Sequence, residues 1–302
     1  MGIGVTRLQT YRGHRSSVYA LTPGAEPHSF FSAGGDGLVV RWNMLQPDEG
    51  ELIAQLPHSV YALTYWPEKQ FLIAGHNTEG IHVLDAVLRR EVSSLKLGPS
   101  SIFDIRVIDG QAWIAGGDGC VTVVDLNAMA VVQQLVLADK SARSIAIHPS
   151  GDVVAVGYSD QCIRVFDRRS FALLAKWTGH TNSVFTLAYT RDGHFLLSAG
   201  RDAHLKAWDA NDGYRLCNDV VAHLFAVNSL DFSPDGKHFV TCSLDKTIKV
   251  WRTADLKLLK VIDKARHAGH GTSVNRVLWT TYKDQVLSAS DDRTISCWDV
   301  IF

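Results

Sequence analysis

The chain has 302 residues, of which 46% are hydrophobic and 20% are charged, and this composition can supply a core and excludes a disordered or collagen-like chain. Thirty Lys and Arg residues against 31 Asp and Glu residues give a net charge of −1, so the overall charge does not indicate binding to nucleic acid or to an anionic membrane. No stretch approaches the roughly 18 consecutive apolar residues of a membrane span, and the first residues lack the pattern of a secretory signal.

The N-terminal residues carry a weak modification pattern before the first apolar run. Met1 to Thr6 match M-G-x-x-x-[ST], the N-myristoylation pattern, but no dense basic cluster follows. The sequence leaves open whether Gly2 is modified. The five cysteines form no CxxC pair, which predicts a reducing, cytoplasmic location, with the nucleus not excluded.

A spaced set of polar residues and a tryptophan recurs four times along the chain. Looking back from Trp208, Asp202 lies 6 residues earlier, Ser198 lies 10 earlier and His180 lies 28 earlier. The other three copies have the same spacing, with Thr in place of Ser in one: His14, Ser32, Asp36 and Trp42; His223, Thr241, Asp245 and Trp251; His270, Ser288, Asp292 and Trp298. Four copies with one internal spacing indicate a repeat architecture.

Three weaker copies lie between Trp42 and Trp208. They end at Leu84-Asp85, Val124-Asp125 and Phe166-Asp167, so the steps between repeat ends are 42, 40, 42, 42, 43 and 47 residues. Seven repeats therefore tile the chain, and we predict a single domain over residues 1–302.

Each repeat predicts four short strands, as the fifth repeat illustrates. Phe185 to Tyr189, Phe195 to Ala199 and His204 to Trp208 are β-rich runs, and Asn211-Asp212-Gly213 is a turn before a fourth. Period-2 runs between Gly, Asp and Asn turns are typical of antiparallel sheets.

The repeats resemble the WD-repeat family of seven-bladed β-propellers. The residues that carry this resemblance are Gly13-His14, Gly179-His180, Ala222-His223, Gly269-His270, Trp208-Asp209 and Trp298-Asp299. The resemblance implies an all-β, seven-bladed propeller in which the sequence repeat is offset from the blade. Residues 5–11 would then supply the outer strand of the last blade, which the pattern after Trp298 leaves without a fourth strand.

The recurring Ser, His and Asp have the residue types of a hydrolase triad, but an enzyme needs one activated nucleophile and not four copies. In the family these residues and the Trp form a buried hydrogen-bond network, so we expect a structural role for all sixteen. Repeats two to four lack it, with Leu56, Gly98 and Ala138 at the His position. Either these repeats have drifted, since an apolar pair can replace a polar pair at little net cost, or they form a specialised side.

Seven equivalent positions near the start of each first strand are expected at one mouth of the channel, on the face that the family uses for peptide recognition. We call them the mouth positions: Tyr19, Tyr61, Phe103, Arg143, Phe185, Asn228 and Asn275. Arg201, Leu244 and Asp291, just before the turn Asp, are further candidates. Aromatic and Arg side chains anchor interfaces, and the rings could stack against a partner's Lys or Arg. The alternative is that they only plug the channel.

The leading hypothesis is a non-enzymatic scaffold that binds a protein or peptide at this mouth, as a monomeric propeller within a larger complex. The alternative is a small-ligand or catalytic site at the mouth, and a histone-tail or nucleic-acid role is disfavoured by the neutral charge. No catalytic residues, metal site or cofactor is predicted. The two GGDG strings, Gly34 to Gly37 and Gly116 to Gly119, precede strands and not the helix of a phosphate loop.

Overall fold

The structure is a computed structural model that describes residues 3–302. Within them the chain forms 28 strands and one four-residue helix, α1, at Lys264–His267. The strands assemble into seven four-stranded sheets, and adjacent strands run antiparallel. The fold is therefore the predicted all-β, seven-bladed propeller. We call each sheet a blade and number it by the repeat that supplies its first three strands.

The strands follow the predicted repeat order along the chain. The first strand and blades 1 and 2 comprise β1 Gly4–Arg12; β2 Val18–Pro23, β3 Ser29–Gly34, β4 Leu38–Asn43 and β5 Gln46–Gln55; β6 Val60–Trp66, β7 Phe71–His76, β8 Gly80–Asp85 and β9 Arg90–Lys96. Blades 3 and 4 comprise β10 Ile102–Ile108, β11 Gln111–Gly116, β12 Cys120–Asp125 and β13 Ala130–Val136; β14 Ala142–Ile147, β15 Val153–Tyr158, β16 Cys162–Asp167 and β17 Leu173–Thr178.

Blades 5 to 7 complete the series. They comprise β18 Val184–Tyr189, β19 Phe195–Gly200, β20 His204–Asp209 and β21 Arg215–Val221; β22 Val227–Phe232, β23 His238–Ser243, β24 Ile248–Arg252 and β25 Lys257–Ile262; β26 Val274–Trp279, β27 Val286–Ser290 and β28 Thr294–Ile301. The strands predicted in the fifth repeat are confirmed to within one residue at each end.

The chain divides into two compact units. The first takes in the described residues up to His76, then His82–Ser93 and Asn228–Phe302, and the second takes in Asn77–Ile81 and Ser94–Val227. The prediction of a single domain stays a prediction.

The first strand completes the last blade, as the resemblance implied. β1 pairs antiparallel with β28, with Gly4 opposite Ile301 and Tyr11 opposite Ile295. Tyr11 is buried, and its ring lies 5.0 Å from Phe30 and packs edge-on. The N-terminal strand therefore contributes both ladder hydrogen bonds and core packing to the first unit.

Burial falls from the second strand of a blade to its fourth. In blade 4, β15 is buried along nearly its whole length, whereas β17 alternates between exposed and half-buried positions. Strands that are buried on both faces read as continuous apolar runs, which explains the sequence Val153-Val154-Ala155-Val156. The outermost strand of each blade faces solvent and tolerates polar side chains.

The turn between second and third strands requires a left-handed residue directly after the turn Asp. Gly37 and Gly119 take this place in the two GGDG strings with φ of 73° and 86°, while Ala203 takes it in the fifth repeat with φ of 66°. The Asp before it caps the turn: Asp202 Oδ1 accepts from His204 N at 3.2 Å. The Asp therefore has a turn-forming role of its own.

Candidate functional site

The recurring polar set is hydrogen-bonded in the fifth repeat. His180 Nε2 lies 2.7 Å from Ser198 Oγ, and His180 Nδ1 lies 3.0 Å from both Asp202 carboxylate oxygens. Trp208 Nε1 donates to Ser198 Oγ at 2.7 Å. The first and seventh repeats hold the same contacts through His14, Ser32, Asp36 and Trp42 and through His270, Ser288, Asp292 and Trp298.

The sixth repeat has Thr241 at the hydroxyl position, and its Oγ1 accepts from Trp251 Nε1 at 2.8 Å. His223 is buried, and Asp245 Oδ1 accepts from Thr247 N at 3.0 Å. A threonine hydroxyl can therefore take the place of serine as acceptor from the indole.

The direction of these hydrogen bonds follows from the indole, which can only donate. Ser198 Oγ accepts from Trp208, so its own proton is directed to His180 Nε2, and the His180 Nδ1 proton goes to Asp202. The same orientation occurs in a hydrolase triad, but Ser198 is 0% exposed and already receives the indole proton. A substrate carbonyl cannot reach this hydroxyl, so the arrangement suits internal hydrogen bonding and not nucleophilic attack.

The turn Asp carboxylates remain charged in this setting. Burial alone would raise the pKa of Asp202, but hydrogen bonds from His180, Thr181 N and His204 N outweigh it and lower the pKa to about 2. Asp292 shows the same balance, with hydrogen bonds from His270 and Thr294 lowering its pKa to about 2. Each carboxylate therefore accepts charge-assisted hydrogen bonds that join the loop before a blade to the turn within it.

The fourth repeat replaces the lost network with a buried ion pair that the sequence analysis missed. Arg164 has a side chain that is 2% exposed, and its two guanidinium nitrogens lie 3.2 and 2.6 Å from the Asp160 carboxylate oxygens. The guanidinium also lies 4.3 Å from the Tyr158 ring centroid. Asp160 thus has a hydrogen-bond donor in Arg164 although Ala138 stands where other repeats have His. The sequence feature that could have revealed this pair is the spacing of Tyr158 and Arg164, which lie six residues apart on the two strands of one hairpin.

The second repeat contains another buried polar pair at the matching strand positions. His76 Nε2 and His82 Nε2 lie 2.7 Å apart, and His82 Nδ1 lies 3.1 Å from Glu91 Oε1. Two of the three divergent repeats therefore contain polar pairs of their own, and simple replacement by apolar residues does not describe them.

All seven mouth positions are half-buried. In the first unit, the Tyr19 and Tyr61 rings lie 4.7 Å apart on the first strands of blades 1 and 2. Asn228 Nδ2 donates to Val274 O at 2.8 Å, and Asn275 Nδ2 donates to Val18 O at 3.1 Å. The two asparagine amides thus join the first strands of consecutive blades, which is a structural use of both.

In the second unit, three consecutive blades place their mouth residues side by side. The Arg143 guanidinium lies 3.9 Å from the Phe103 ring centroid and 4.8 Å from the Phe185 centroid, so a cation sits between two rings. We call these three residues the Phe-Arg-Phe ladder. The cation predicted to come from a partner is, at Phe103 and Phe185, already supplied by the chain itself.

The second glycines of the GGDG strings give the mouth residues room. A Cβ on Gly117 would lie 3.3 Å from the Phe103 ring, and one on Gly35 would lie 3.4 Å from the Tyr19 ring. Both strings therefore have a packing explanation beside an aromatic mouth residue, and a strand follows each of them, β4 and β12, as predicted.

Arg201 is exposed, and so is a neighbouring pair that the sequence analysis did not single out. Leu224 is 83% exposed and Phe225 is 58% exposed. The signal was available by internal comparison, because the residues that follow the network His are polar or small in the other three repeats: Arg15 and Ser16, Thr181 and Asn182, Gly271 and Thr272.

Within residues 3–302, no group of three or more His, Cys, Asp or Glu side chains is arranged to hold a metal ion, and all five cysteines are free thiols. No helix in that range has the length and apolarity of a membrane span. The myristoylation pattern begins at Met1 and Gly2, which lie outside the described residues.

Comparison with known families decides the relationship. The family model "WD domain, G-beta repeat" matches residues 5–43, 133–167, 171–209, 215–252 and 262–299, which together make up more than half of the chain. The chain belongs to the WD-repeat family. The WD-repeat matches leave out residues 44–132, which contain repeats two and three, two of the three that lack the polar network.

Similar proteins include a 66 kDa stress protein of Physarum polycephalum, 25% identical over 98% of this chain and 48% of that protein. WD repeat-containing protein 1 of Rattus norvegicus is 29% identical over 52% of this chain and 26% of its own length. Pre-mRNA-processing factor 19 homolog 2 of Arabidopsis thaliana is 29% identical over 52% of this chain and 30% of its own length. This chain thus spans half or less of the length of each relative.

Proposed function

We propose that this WD-repeat chain is a non-enzymatic scaffold that binds a protein or peptide partner through its mouth positions. Membership of a family whose repeats recur in many different proteins supports a binding module in general. The observation that carries the proposal is the Phe-Arg-Phe ladder, where three consecutive blades present half-buried residues of the types that anchor interfaces.

The ladder suits partner binding because its geometry is fixed before a partner arrives. Stacking on two rings restricts the Arg143 side chain, so less rotamer entropy is lost when a partner contacts it. The Arg143 guanidinium carbon lies 3.9 and 4.8 Å from the two ring centroids, so two apolar rings and a permanent positive charge are held next to each other. The site therefore presents a rigid apolar and cationic surface.

Tyr19 and Tyr61 form a second candidate contact in the first unit, because their rings lie 4.7 Å apart at an interplanar angle of 46° and remain partly exposed. Asn228 and Asn275 contribute less to the proposal, since their amide donors are used between strands. We propose a monomer within a larger complex, with no direct contact to nucleic acid.

The second candidate, a small-ligand or catalytic site at the mouth, has less support. The hydroxyls of the polar networks are buried, and the mouth positions offer one arginine, two asparagines and four aromatic rings. This set lacks the convergent acids, bases or metal ligands that catalysis needs.

Affinity purification from the cells that produce the chain tests the proposal. The baits are the wild type, Arg143→Ala/Phe185→Ala, Tyr19→Ala/Tyr61→Ala and the exposed control Ser94→Ala, with captured proteins identified by mass spectrometry. We expect a partner that binds the wild type and the control and is lost from at least one mouth variant of unchanged melting temperature. An identical set of captured proteins with all four baits would contradict the proposal.

The same baits distinguish binding from plugging. If Arg143→Ala/Phe185→Ala lowers the free energy of unfolding by several kcal/mol, the rings serve as core. Arg143→Gln with Phe185→Leu then retains most of the buried volume and separates stability from partner binding.

A further inference from the structure

The segment that leads into blade 6 exposes an unusual amount of apolar surface. Val221 is 70% exposed, Leu224 is 83% exposed and Phe225 is 58% exposed, all within five residues. The matching segments of the other network-bearing repeats carry polar or small residues after the His. Scattered single apolar residues on a surface need no explanation, but a cluster of large ones marks an interaction site.

This segment lies beside the turn that carries Arg201. Ala222 N and His223 N both donate to Ala203 O, at 2.9 and 3.3 Å, and Arg201 N donates to Ser183 O at 2.9 Å. Ser183 lies two residues before Phe185 of the Phe-Arg-Phe ladder. Backbone hydrogen bonds therefore join three neighbouring loops of the second unit, which carry the apolar pair, Arg201 and the ladder residue.

The charge at this surface is not balanced locally. Within the part of the chain that the structure describes, the exposed Arg201 guanidinium makes no ion pair. The adjacent carboxylate of Asp202 is used by His180 and Thr181 N. Asp219, on β21 of the same blade, pairs with His204 at 2.6 Å and with Lys206 at 3.4 Å. Charge complementarity therefore calls for a carboxylate from outside the chain.

We propose that Arg201, Leu224 and Phe225 form a docking site for a partner segment that places a large apolar side chain beside an Asp or Glu. The inference rests on the proposed function and specifies the chemistry of the partner. The apolar side chain covers Leu224 and Phe225, and the carboxylate pairs with the Arg201 guanidinium, whose fork geometry suits a carboxylate.

Binding of labelled peptide pools to the full chain tests this proposal by fluorescence anisotropy. Three pools of short degenerate peptides carry Leu, Phe or Trp at the centre, flanked by Asp and Glu, by Lys and Arg, or by Ser and Gln. We expect the acidic pool to bind at least about 10-fold more tightly than the basic pool at low salt, with the difference narrowing as added salt screens the charges.

Two variants and two matched controls assign the contacts. Arg201→Glu should weaken binding of the acidic pool at least about 10-fold. Arg169→Glu makes the same charge change at another exposed turn of the second unit and should leave binding of that pool unchanged. Leu224→Ser/Phe225→Ser should weaken binding of both the acidic and the Ser/Gln peptides. Leu174→Ser, at a residue 56% exposed on β17, should leave binding of both pools unchanged.

The outcomes separate this inference from the proposed function. Preference for the basic pool, or equal losses with Arg201→Glu and Arg169→Glu, overturns the docking site while peptide binding by the chain stands. Peptide binding that depends on Arg143 and Phe185 but not on Leu224 and Phe225 also overturns the docking site and leaves peptide binding by the chain intact. If no pool binds the wild type, the docking site is overturned, and partner capture with the mouth variants decides the scaffold proposal separately.

Discussion

Removal of a single hydroxyl tests the structural role of the polar network most sharply. Ser198 is 0% exposed, and its Oγ contacts both Trp208 Nε1 and His180 Nε2 at 2.7 Å. Ser198→Ala leaves two buried polar groups without a partner, each costing about 1–3 kcal/mol. We therefore expect the variant to lose about 2–5 kcal/mol, a large share of the roughly 5–15 kcal/mol by which domains are usually stable.

The assay is urea unfolding followed by tryptophan fluorescence, with the free energy compared at unchanged m-value. Ser198→Thr is the matched variant, because Thr241 accepts the indole hydrogen bond in the sixth repeat, and we expect it to recover most of the loss. Ser94→Ala, on an exposed strand, should stay within about 0.5 kcal/mol of the wild type. A loss below about 1 kcal/mol for Ser198→Ala, with no advantage for Ser198→Thr, would refute the reasoning.

Three further predictions follow from the buried groups. Because folding lowers the pKa of Asp202 from 3.8 to about 2, its carboxylate stabilises the fold fully above about pH 4, and this contribution is lost as the pH falls through 2. The melting temperature of the wild type should fall over that pH interval, and that of Asp202→Asn should fall less steeply. Arg164→Leu should lower the free energy of unfolding by about 2–3 kcal/mol, less than the loss of a fully buried pair because Asp160 is 21% exposed. Arg164→Leu/Asp160→Asn should lower it by less than Arg164→Leu alone, and equal losses would contradict the ion-pair interpretation. Among the native thiols, Cys217 should react first with a thiol reagent and Cys297 only on unfolding, because Cys217 is exposed and burial raises the pKa of Cys297 to about 12; equal rates would contradict the burial pattern.

The sequence predicted the fold because its signals repeat. The offsets that join His180, Ser198 and Asp202 to Trp208 recur four times, and three weaker copies fill the gap between Trp42 and Trp208, so seven repeats followed from spacing. The arrangement of the repeats as blades of a propeller came from the resemblance to the WD-repeat family. The closing strand β1 was predictable as well, since the repeat pattern left blade 7 one strand short. Local turn chemistry fixed strand ends to within a residue in the fifth repeat.

The candidate site was less predictable because it depends on contacts between residues far apart in the chain. Alignment of the repeats identified Phe103, Arg143 and Phe185 as equivalent, but only the structure places the guanidinium between the rings. A repeat pattern describes one blade at a time and carries no information on how neighbouring first strands pack their side chains.

Exceptions to the repeat pattern were also missed. Arg164 occupies a position where Lys206 stands in the fifth repeat, and a charged residue in a strand is normally taken as exposed. Its burial depends on Tyr158 and Asp160, which the pattern does not describe. Leu224 and Phe225 were missed because apolar side chains by themselves give no sign that they face solvent. Only a comparison with the matching residues of the other network-bearing repeats marks the pair as unusual.

The central claim is that the mouth residues bind the partner and the polar networks only support the fold. Titration of a purified, captured partner against four forms of the chain, the wild type and the three variants named below, tests this claim most directly. The account predicts that Arg143→Ala/Phe185→Ala raises the dissociation constant at least about 10-fold. Ser198→Ala, measured below its melting temperature, should bind like the wild type and Ser94→Ala. Unchanged binding by the mouth variant together with loss of binding by folded Ser198→Ala would contradict the account.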